Sequence, residues 1–466
     1  VDVLWLKRDV RVSDNEALFH ACLKRVRPLV ILYVYDRLLW SSNHLHESHL
    51  KFVNEGLANF EDTLCTRYKL NRAVCYRVGL VEEVLEEIHR TYKVASVYSS
   101  CEVMDRAMRD CVDRARQWSE TRGVQWISFD QTGVSSSPKR DGWAKRWKSN
   151  MQLPMKPMPE EIRVLSDGSL QHGSIVEDPK EVGLKYFGQR PEAQKGGEDE
   201  AKKLLASFLS SRGMMYSKEL SSPVTAWEGC SRLSTYLSWG HLSLRTVFQA
   251  QGGNVGPWLK SLSAFGARLR WRSHFMQKLY DEPSIEDVNM CRAYDQLYEG
   301  TFDEARFSAW VEGRTGYPMV DACMRALHAS GWINFRMRAM LVSFACYFLW
   351  LDWRRLTPAM ARLFLDYEPG IHFPQFQMQA GTTGINANRI YSPAKQVMDH
   401  DPHGVFIRKY VPELEMVPDK FIAEPDKMPE ALQKAIGCEI GKDYPAPIVD
   451  YKASYAEARR KLATIR

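Results

Sequence analysis

The sequence lacks the cysteine and histidine spacings of metal clusters and disulfide frameworks. Its ten cysteines are spread over 466 residues, none forms a Cys-x-x-Cys pair, and several lie inside apolar runs. This distribution favours free, mostly buried thiols in a reducing compartment. The histidine-rich stretch HLHESH (44–49) contains no His-Glu-x-x-His and matches no standard ligand spacing, so we expect no metal site.

The sequence also lacks nucleotide-binding, nucleophile and membrane signals. No Gly-x-Gly-x-x-Gly follows the first strand-like segment and no Walker-type lysine occurs, so an ordinary dinucleotide or nucleoside-triphosphate site is not supported. No serine or cysteine carries the signal of a nucleophile paired with histidine. The apolar run 339–351 has thirteen residues, fewer than the ~20 that span a bilayer. Without a signal peptide, we expect a soluble intracellular protein of the nucleus, the cytoplasm or an organelle.

Charge and aromatic content are the bulk features that are present. The 63 basic and 57 acidic side chains give a net charge of +6, which permits a polyanionic partner without requiring one. Aromatic residues make up 11% of the chain, with 14 tryptophans. This content indicates either a core rich in rings or planar groups used for stacking or electron transfer.

The N-terminal part of the chain alternates strand-like and helical patterns. The strand-like segments VDVLWL, PLVILYVYD, AVCYRV, VASVYS and VQWISF are separated by amphipathic helical stretches. Such alternation indicates a parallel sheet covered by helices on both faces. Ligands of such sheets bind beyond the carboxyl ends of the strands.

The composition changes after this part of the chain. Residues 131–200 are rich in Pro, Gly, Ser and charge, and we interpret them as a connector that Trp143 and Trp147 hold to the surface. After it, helical patterns follow one another with almost no strand-like alternation. The predicted architecture is an α/β parallel-sheet domain (1–130), this connector, and a large all-α domain (201–466).

Two short stretches of the helical domain have the residue types of binding sites. In GCSRLSTYLSWGHLSLR, Ser231 and Ser234 stand where a helix begins, which makes either an anion site or a simple N-cap. In ARLRWRSHF, Arg268 and Arg272 are four residues apart and Trp271 shares the face of Arg268. A ring beside guanidinium groups suits a base or another flat anionic ligand. The alternative is a tryptophan that fills a helix interface while the arginines face water.

A third region combines arginines with an apolar run. Residues 314–363 contain seven arginines but no lysine or glutamate, which favours forked recognition of carboxylate or phosphate. A helix is predicted over 335–351, with Trp350 and Trp353 on one helical turn and close enough for electron hopping. Ordinary core packing is the alternative. The irregular segment 365–396 carries acids and a Gly/Thr/Asn-rich loop, which is typical of functional loops.

These clusters, in this order and after an opening VLWLKRDVRVSDNEAL, resemble the photolyase/cryptochrome family of flavoproteins over nearly the whole chain. The strongest signatures are SRLSTYLSWGHLSLR, GRTGYPMVDACMRALHASGWINFRMR, LDWR and IRKYVPEL. The resemblance implies an antenna domain, a connector and a helical domain that holds FAD in a bent form. It also implies room for a second chromophore, a folate or a deazaflavin, in the antenna domain.

The resemblance further implies which residues contact FAD. In the family, the residue matching Arg338 pairs with the one matching Asp366 beside the flavin ring. A guanidinium there suits the negative charge of a reduced flavin, because a buried charge needs a partner. The remaining implied contacts, to the phosphates, the ribityl chain and the other side of the cofactor, are Tyr216, Cys230, Ser231, Arg232, Leu233, Ser234, Tyr367, Glu368 and His372.

The positions that would face DNA depart from the photolyase pattern. Arg268 stands where photolyases carry a glutamate that protonates the damaged pyrimidine pair, whereas the active-site tryptophan is kept as Trp271. Met378 replaces a second ring that clamps the lesion. The implied DNA contacts are Arg268, Trp271, Arg272, Arg336 and Met378.

The positions that would serve electron and proton transfer depart as well. Phe376 replaces the flavin-proximal tryptophan of the usual relay, whose middle member matches Trp353. Light-driven reduction is therefore expected either to detour from Trp350 to Trp353 or to run poorly. His372 falls where an asparagine usually faces flavin N5. We expect this imidazole to titrate near neutrality and to set the protonation of the flavin.

Three functions follow from the resemblance. The first, which we favour, is an enzyme of deoxyribodipyrimidine photo-lyase type, in which light drives an electron from reduced FAD into a pyrimidine dimer flipped out of double- or single-stranded DNA. Trp271 and the arginine-rich helical domain favour it. The second is a blue-light photoreceptor with a signalling protein partner, favoured by Arg268, Phe376, Met378 and His372. The third is a light-independent nucleic-acid-binding module that keeps FAD as a structural ligand. We expect a monomer.

Overall fold

The first part of the chain folds as an α/β unit. A computed structural model describes residues 1–23, 26–130, 133–134, 141–165, 170–252, 258–298, 302–385 and 389–465. The strands of its one sheet are β1 (Asp2–Leu6), β2 (Leu29–Asp36), β3 (Val74–Gly79), β4 (Ser96–Cys101) and β5 (Gln125–Asp130). The helices between them are α1 (Glu16–Leu23), α2 (Arg37–Trp40), α3 (Glu47–Tyr68), α4 (Val81–Tyr92) and α5 (Arg106–Arg122). The predicted strands are confirmed.

The sheet is parallel throughout, with the strand order β3-β2-β1-β4-β5. Strands β1 and β2 are buried on both faces, which explains why both are continuous apolar runs. The chain leaves the central strand β1 toward β2 on one side and returns to β4 on the other. The carboxyl ends of β1 and β4 therefore form the crevice where such sheets bind ligands, and Lys7, Arg8 and Glu102 follow these ends.

The connector crosses the surface and is held by its tryptophans. Its helix α6 (Trp143–Gln152) stacks Trp143 on Trp147 with ring centroids 6.4 Å apart. Trp143 Nε1 donates a hydrogen bond of 3.2 Å to Gln277 Oε1, and Trp147 is buried against Phe248. The predicted role of these two rings is confirmed, while the domain boundaries at 130 and 200 stay predictions.

The rest of the described chain is helical. Seven short 3-10 turns, among them Pro179–Val182 in the connector, separate or extend its helices. The helices are α7 (Glu198–Ser210), α8 (Tyr216–Glu219), α9 (Pro223–Gly229), α10 (Ser234–Ser238), α11 (Leu244–Gly252), α12 (Leu259–Asp281), α13 (Glu304–Val311), α14 (Pro318–Ser330), α15 (Phe335–Ser343), α16 (Trp353–Leu363), α17 (Pro369–Ala380), α18 (Pro393–His400), α19 (Val405–Tyr410), α20 (Glu430–Ile436) and α21 (Tyr451–Ala463).

The apolar run at the centre of this unit is not one α-helix. Helix α15 ends at Ser343, a π-helical turn (Phe344–Phe348) follows, and Trp350 adopts a left-handed conformation with φ 56°. The predicted helix over 335–351 is therefore wrong at its end, because a π turn and a left-handed residue interrupt its α-helical hydrogen bonds. The spacing of apolar residues does not reveal such an interruption. In the described residues, no helix combines the length and the apolar character needed to cross a membrane.

The two units share one core. One buried cluster contains Leu4 and Ile31 of the sheet together with Tyr216, Trp239 and Tyr367 of the helical unit. A second cluster fills the helical unit around Trp310, Trp353 and the π turn. Because apolar side chains of both units pack in the same cluster, the carboxyl ends of the strands lie directly against helical residues near 239 and 367.

Candidate functional site

A bidentate ion pair joins helix α15 to the turn before α17. Arg338 Nη1 and Nη2 donate to Asp366 Oδ1 and Oδ2, each at 2.9 Å, and Arg338 Nε donates to Ile333 O at 2.8 Å. The side chain of Asp366 is 3% exposed and that of Arg338 is 22% exposed. The carboxylate therefore fixes the plane of a guanidinium whose one side remains open.

A second interior ion pair lies beside the first. Arg272 Nη2 donates to Glu368 Oε2 at 2.8 Å and to Leu237 O at 3.1 Å. Burial lowers the pKa of Arg272 and raises that of Glu368, and each charge partly offsets the effect on the other. The predicted DNA contact of Arg272 is corrected, because its side chain is 11% exposed and its guanidinium is occupied by Glu368.

The loop between α9 and α10 carries the predicted anion-binding residues. Arg232 has φ 55°, which is unusual for a residue with a side chain. Its Nε is buried with no hydrogen-bond partner among the described residues, and its guanidinium lies 4.6 Å from the ring of Trp227. Ser231 Oγ accepts from Leu233 N at 3.4 Å, and Ser234 Oγ accepts from Trp332 Nε1 at 3.3 Å. A loop that carries an unsatisfied guanidinium N–H and two hydroxyls has the chemistry to bind a phosphate, and the contact of these residues with the FAD pyrophosphate stays a prediction.

Tyr216 and Cys230 lie in the wall next to this loop. Tyr216 is buried against Phe208 and Phe265, and burial raises its pKa to about 12. A hydrogen bond with Arg268 acts in the opposite direction. Burial also raises the pKa of the Cys230 thiol to about 12, so it serves as a small apolar group rather than as a nucleophile.

Helix α12 presents a tryptophan and an arginine to solvent. Trp271 is 48% exposed and stacks on Phe275 at 5.7 Å. Arg268, one turn earlier, is exposed as well, while Arg336 and Met378 are half-buried. The alternative that Trp271 fills a helix interface is wrong, because nearly half of the side chain faces water.

His372 is buried in a cluster of rings. Its Nε2 lies 3.0 Å from Thr357 O, which assigns the proton to Nε2 and leaves Nδ1 as the unprotonated nitrogen. Burial, followed by the nearby His44 and Arg338, lowers its pKa to about 3. The expected titration near neutrality is therefore wrong, and His372 is a neutral imidazole at physiological pH.

The tryptophans predicted to carry electrons have other partners than Phe376. Trp353 is fully buried and its Nε1 donates to Asn289 Oδ1 at 2.9 Å. Trp350 precedes α16, with its ring 5.2 Å from that of Tyr298 and 4.1 Å from Lys461 Nζ. The predicted shared helical turn of Trp350 and Trp353 is wrong, because the chain is not helical between them.

Sequence reasoning missed three residues at the junction of the two units. The Arg8 guanidinium lies 4.2 Å from the ring of Trp239, and its Nη1 donates to Tyr367 O at 3.0 Å. Asp105 Oδ2 accepts from the Tyr367 hydroxyl at 2.8 Å and lies 3.3 Å from His44 Nδ1. The position of Arg8 just after β1 was a usable signal. No local pattern could have paired Asp105 and His44 with a residue more than 250 positions away.

A cavity of about 60 Å³ lies at the carboxyl ends of the strands. This is the position predicted for a ligand of the sheet, and a folate or deazaflavin chromophore there stays a prediction. Its lining includes Trp5, Lys7, Arg8, Trp40, Glu102 and Trp239. In the described ranges, no group of three or more His, Cys, Asp or Glu side chains is placed to hold a metal ion.

The comparisons with known proteins agree with this geometry. Residues 2–137 match the model of the family DNA photolyase, and residues 265–464 match that of the FAD binding domain of DNA photolyase. A deoxyribodipyrimidine photo-lyase from Agrobacterium fabrum is 32% identical over 490 residues, which cover 100% of this chain and 98% of that protein. The chain belongs to the photolyase/cryptochrome family.

The relatives of this chain in the photolyase/cryptochrome family include proteins named photolyase and proteins named cryptochrome. Cryptochrome-2 of Arabidopsis thaliana is 27% identical over 479 residues, which cover 96% of this chain and 76% of that protein. The crystal structure of a Synechocystis cryptochrome has the same fold, with a TM-score of 0.85 at 22% identity, and covers 99% of this chain and 98% of that one. The helical unit is thus the FAD-binding domain of a photolyase/cryptochrome flavoprotein, and FAD is its cofactor.

Proposed function

We propose that this chain is a DNA photolyase, which uses blue light to split pyrimidine dimers. The observation that carries the proposal is the exposed pair Trp271 and Arg268 on a helix whose interior face bears the Arg272–Glu368 ion pair. One helix thus offers a ring and a cation to DNA on one side and borders the proposed flavin cradle (Ser231, Arg232, Ser234, Arg338, Asp366 and His372) on the other. The name of the Agrobacterium fabrum relative supports the same activity.

The residues of the cradle have distinct roles in this proposal. Reduced FAD, when bound, supplies the electron that splits the dimer after it absorbs blue light. Arg232, Ser231 and Ser234 would hold its phosphates, and Arg338, which Asp366 fixes at two points, would offer a guanidinium to its ring. Neutral His372 offers an unprotonated Nδ1, which can accept a hydrogen bond but cannot supply a proton.

Trp271 and Arg268 act on the damaged DNA. The indole of Trp271 packs against the flipped-out pyrimidine dimer, since bases offer a flat face to an aromatic ring. Arg268 contacts a DNA phosphate and stabilises the negative charge of the reduced dimer. It cannot donate a proton, because a guanidinium keeps its protons at physiological pH. Loss of a general acid typically costs ~10²–10⁴-fold in rate, so we expect repair that is slow unless the lesion needs no proton.

The test uses the holoprotein with chemically reduced FAD. Oligonucleotides that carry a cyclobutane dimer or a 6–4 product, each as single and as double strands, are counted for lesions before and after blue illumination. We expect loss of at least one lesion type in the light only, and little loss with Trp271→Ala. Unchanged lesion counts with fully reduced, bound FAD would refute the proposal. Salt-dependent DNA binding that light does not alter would favour the light-independent binding module.

A blue-light photoreceptor is the second candidate. Phe376 and Arg268 favour it, because Phe376 stands in place of the oxidisable tryptophan and Arg268 in place of the glutamate that protonates the dimer in photolyases. In this case a charge change at the buried flavin would alter a neighbouring segment that a partner protein recognises. Limited proteolysis of the holoprotein in light and in darkness tests it. Identical fragments in both would count against photoreception, and a light-dependent pattern without repair would favour it.

A further inference from the structure

The rings around His372 differ in how easily they lose an electron. His372 contacts Phe364 at 6.1 Å, Tyr367 at 5.2 Å, Phe373 at 5.3 Å and Phe376 at 4.7 Å between ring centroids. Of these four rings, Tyr367 is the one phenol, and a phenol is oxidised far more easily than a phenylalanine ring. In the described part of the chain, Trp353 makes no ring contact with His372 or Phe376.

The hydroxyl of Tyr367 also has a buried proton acceptor next to it. Its hydroxyl donates to Asp105 Oδ2 at 2.8 Å, and His44 Nδ1 lies 3.3 Å from the same oxygen. Asp105 and Tyr367 are each 1% exposed, so water does not compete for this contact. Burial raises the pKa of Tyr367 well above its usual value. Burial also acts to raise the pKa of Asp105, but hydrogen bonds from His44, Met108 N and Tyr367 bring it below its usual range. In the resting state the proton therefore belongs to the phenol.

We propose that Tyr367 is the electron donor for light-driven reduction of the bound flavin, and that Asp105 accepts its phenolic proton. One electron leaves the Tyr367 ring for the light-excited oxidised flavin. The Oη–H bond breaks, and the proton bonds to Asp105 Oδ2, which converts the carboxylate to a neutral acid. A thiol reductant in solution then returns an electron to Tyr367, and Asp105 returns the proton.

Loss of the proton explains how Tyr367 can work beside a cation. The Arg8 guanidinium lies 5.7 Å from the centre of the Tyr367 ring and would oppose a positively charged radical there. Transfer of the proton to Asp105 leaves a neutral tyrosyl radical, which Arg8 does not repel. The electron donor Tyr367 belongs to the helical unit, whereas the proton acceptor Asp105 and its partner His44 belong to the α/β unit.

The proposal rests on the flavin photochemistry of the proposed function, but its test needs no DNA. The holoprotein with oxidised FAD is illuminated by a flash, and the radical is identified by electron paramagnetic resonance with and without ring-deuterated tyrosine. We expect a tyrosyl spectrum that changes with the label and a formation rate that is slower in D2O. A tryptophanyl radical alone, insensitive to the tyrosine label, would overturn the proposal without any variant.

Variants then assign the radical to one tyrosine. Tyr367→Phe is expected to lose the tyrosyl signal, and Asp105→Asn to lose the D2O effect, because the amide cannot take the proton. Tyr298→Phe, at another buried tyrosine beside Trp350, and Trp353→Phe are expected to keep the signal. A signal that survives Tyr367→Phe, or that disappears with Trp353→Phe, would contradict the proposal.

The same samples separate this proposal from the proposed function. Chemical reduction by dithionite bypasses the light-driven reduction step, so dimer repair by the unaltered holoprotein is measured independently of the radical. Repair without a tyrosyl radical would contradict the donor assignment alone. A tyrosyl radical without repair would contradict the proposed photolyase activity alone.

Discussion

Arg338 and Asp366 face each other through two parallel hydrogen bonds of 2.9 Å, 28 positions apart in the chain. The pair closes helix α15 against the turn that leads into α17. It combines a carboxylate that is almost fully buried with a guanidinium that keeps one accessible side. This asymmetry is what a site for a flat, negatively charged ring requires.

Asp366→Asn should weaken both the fold and the retention of FAD. Breaking a fully buried ion pair costs ~3–5 kcal/mol, and because Arg338 is 22% exposed we expect roughly 2–3 kcal/mol here. Chemical denaturation and the ratio of FAD to protein after gel filtration measure the two effects. Glu457→Gln, at the surface pair with Arg460, is the control and should change neither. Unaltered flavin retention in Asp366→Asn would mean that the pair does not hold the ring.

Trp271→Ala should weaken binding to lesion-containing DNA. Base–aromatic stacking contributes ~1–3 kcal/mol, which corresponds to roughly 5–150-fold in affinity. Leu259→Ala, on the same helix and 65% exposed, is the matched control and should bind as the unaltered chain does. Equal losses in the two variants would indicate a general effect on the helix rather than stacking.

Arg268→Gln should lower the salt dependence of DNA binding. One lost phosphate contact reduces the slope of log K against log salt by about 0.9. Titrations by fluorescence anisotropy at several salt concentrations give that slope. Arg460→Gln removes an exposed arginine on helix α21 and should leave the slope unchanged. A constant slope in Arg268→Gln would place this side chain away from the DNA backbone.

Phe376→Trp should speed the bleaching of oxidised flavin by blue light. The new indole would lie next to His372, where the present phenyl ring, 3% exposed, cannot be oxidised at modest potential. Overpacking of this buried position costs roughly 1–3 kcal/mol, so the stability of the variant is measured alongside. In Phe376→Leu the flavin should bleach at the rate seen in the unaltered chain, because the phenyl ring does not act as an electron carrier. A bleaching rate that Phe376→Trp does not raise would be inconsistent with this account.

Buried histidines should make the fold sensitive to mild acid. Burial is the first cause that lowers the pKa of His49, His241 and His372 from 6.5 to about 3. Between these values the unfolded chain binds protons that the folded chain does not, so stability falls as the pH falls. The slope is about 1.4 kcal/mol per pH unit for each such imidazole.

His241→Gln tests this sign directly. Urea denaturation at a series of pH values below neutrality should show a shallower loss of stability in the variant than in the unaltered chain. His403→Gln, at a histidine whose side chain is 77% exposed, is the control and should keep the full slope. A His241→Gln curve parallel to that of the unaltered chain would refute the assignment.

The spacing of apolar residues and the composition of the sequence predicted most of the architecture. Runs such as LVILYVYD are buried on both faces, and only a sheet covered on both sides accommodates them. The end of the central helix was not predictable in the same way. The π turn at 344–348 and the left-handed Trp350 depend on packing against residues such as Tyr451 and Lys461, about a hundred positions away.

The residues of the candidate site also divide into those that local sequence patterns or motifs indicate and those that depend on long-range packing. Ser231 was singled out by its local pattern, and Arg338 and Asp366 were paired through the family resemblance; the pair is present, while the roles of these residues at FAD stay predictions. Asp105 and His44 were not, because their contact with Tyr367 exists only after the α/β unit packs on the helical unit. The pKa of His372 was missed for a related reason, since burial sets it and no neighbour in sequence reveals burial.

The most direct test of the account is the action spectrum of dimer loss. Damaged oligonucleotide and chemically reduced holoprotein are illuminated at a series of wavelengths, and the dimers split per incident photon are counted. We predict that the yield follows the absorption spectrum of the bound reduced flavin and falls to zero in darkness. Dimer counts that stay constant at every wavelength the flavin absorbs would contradict it.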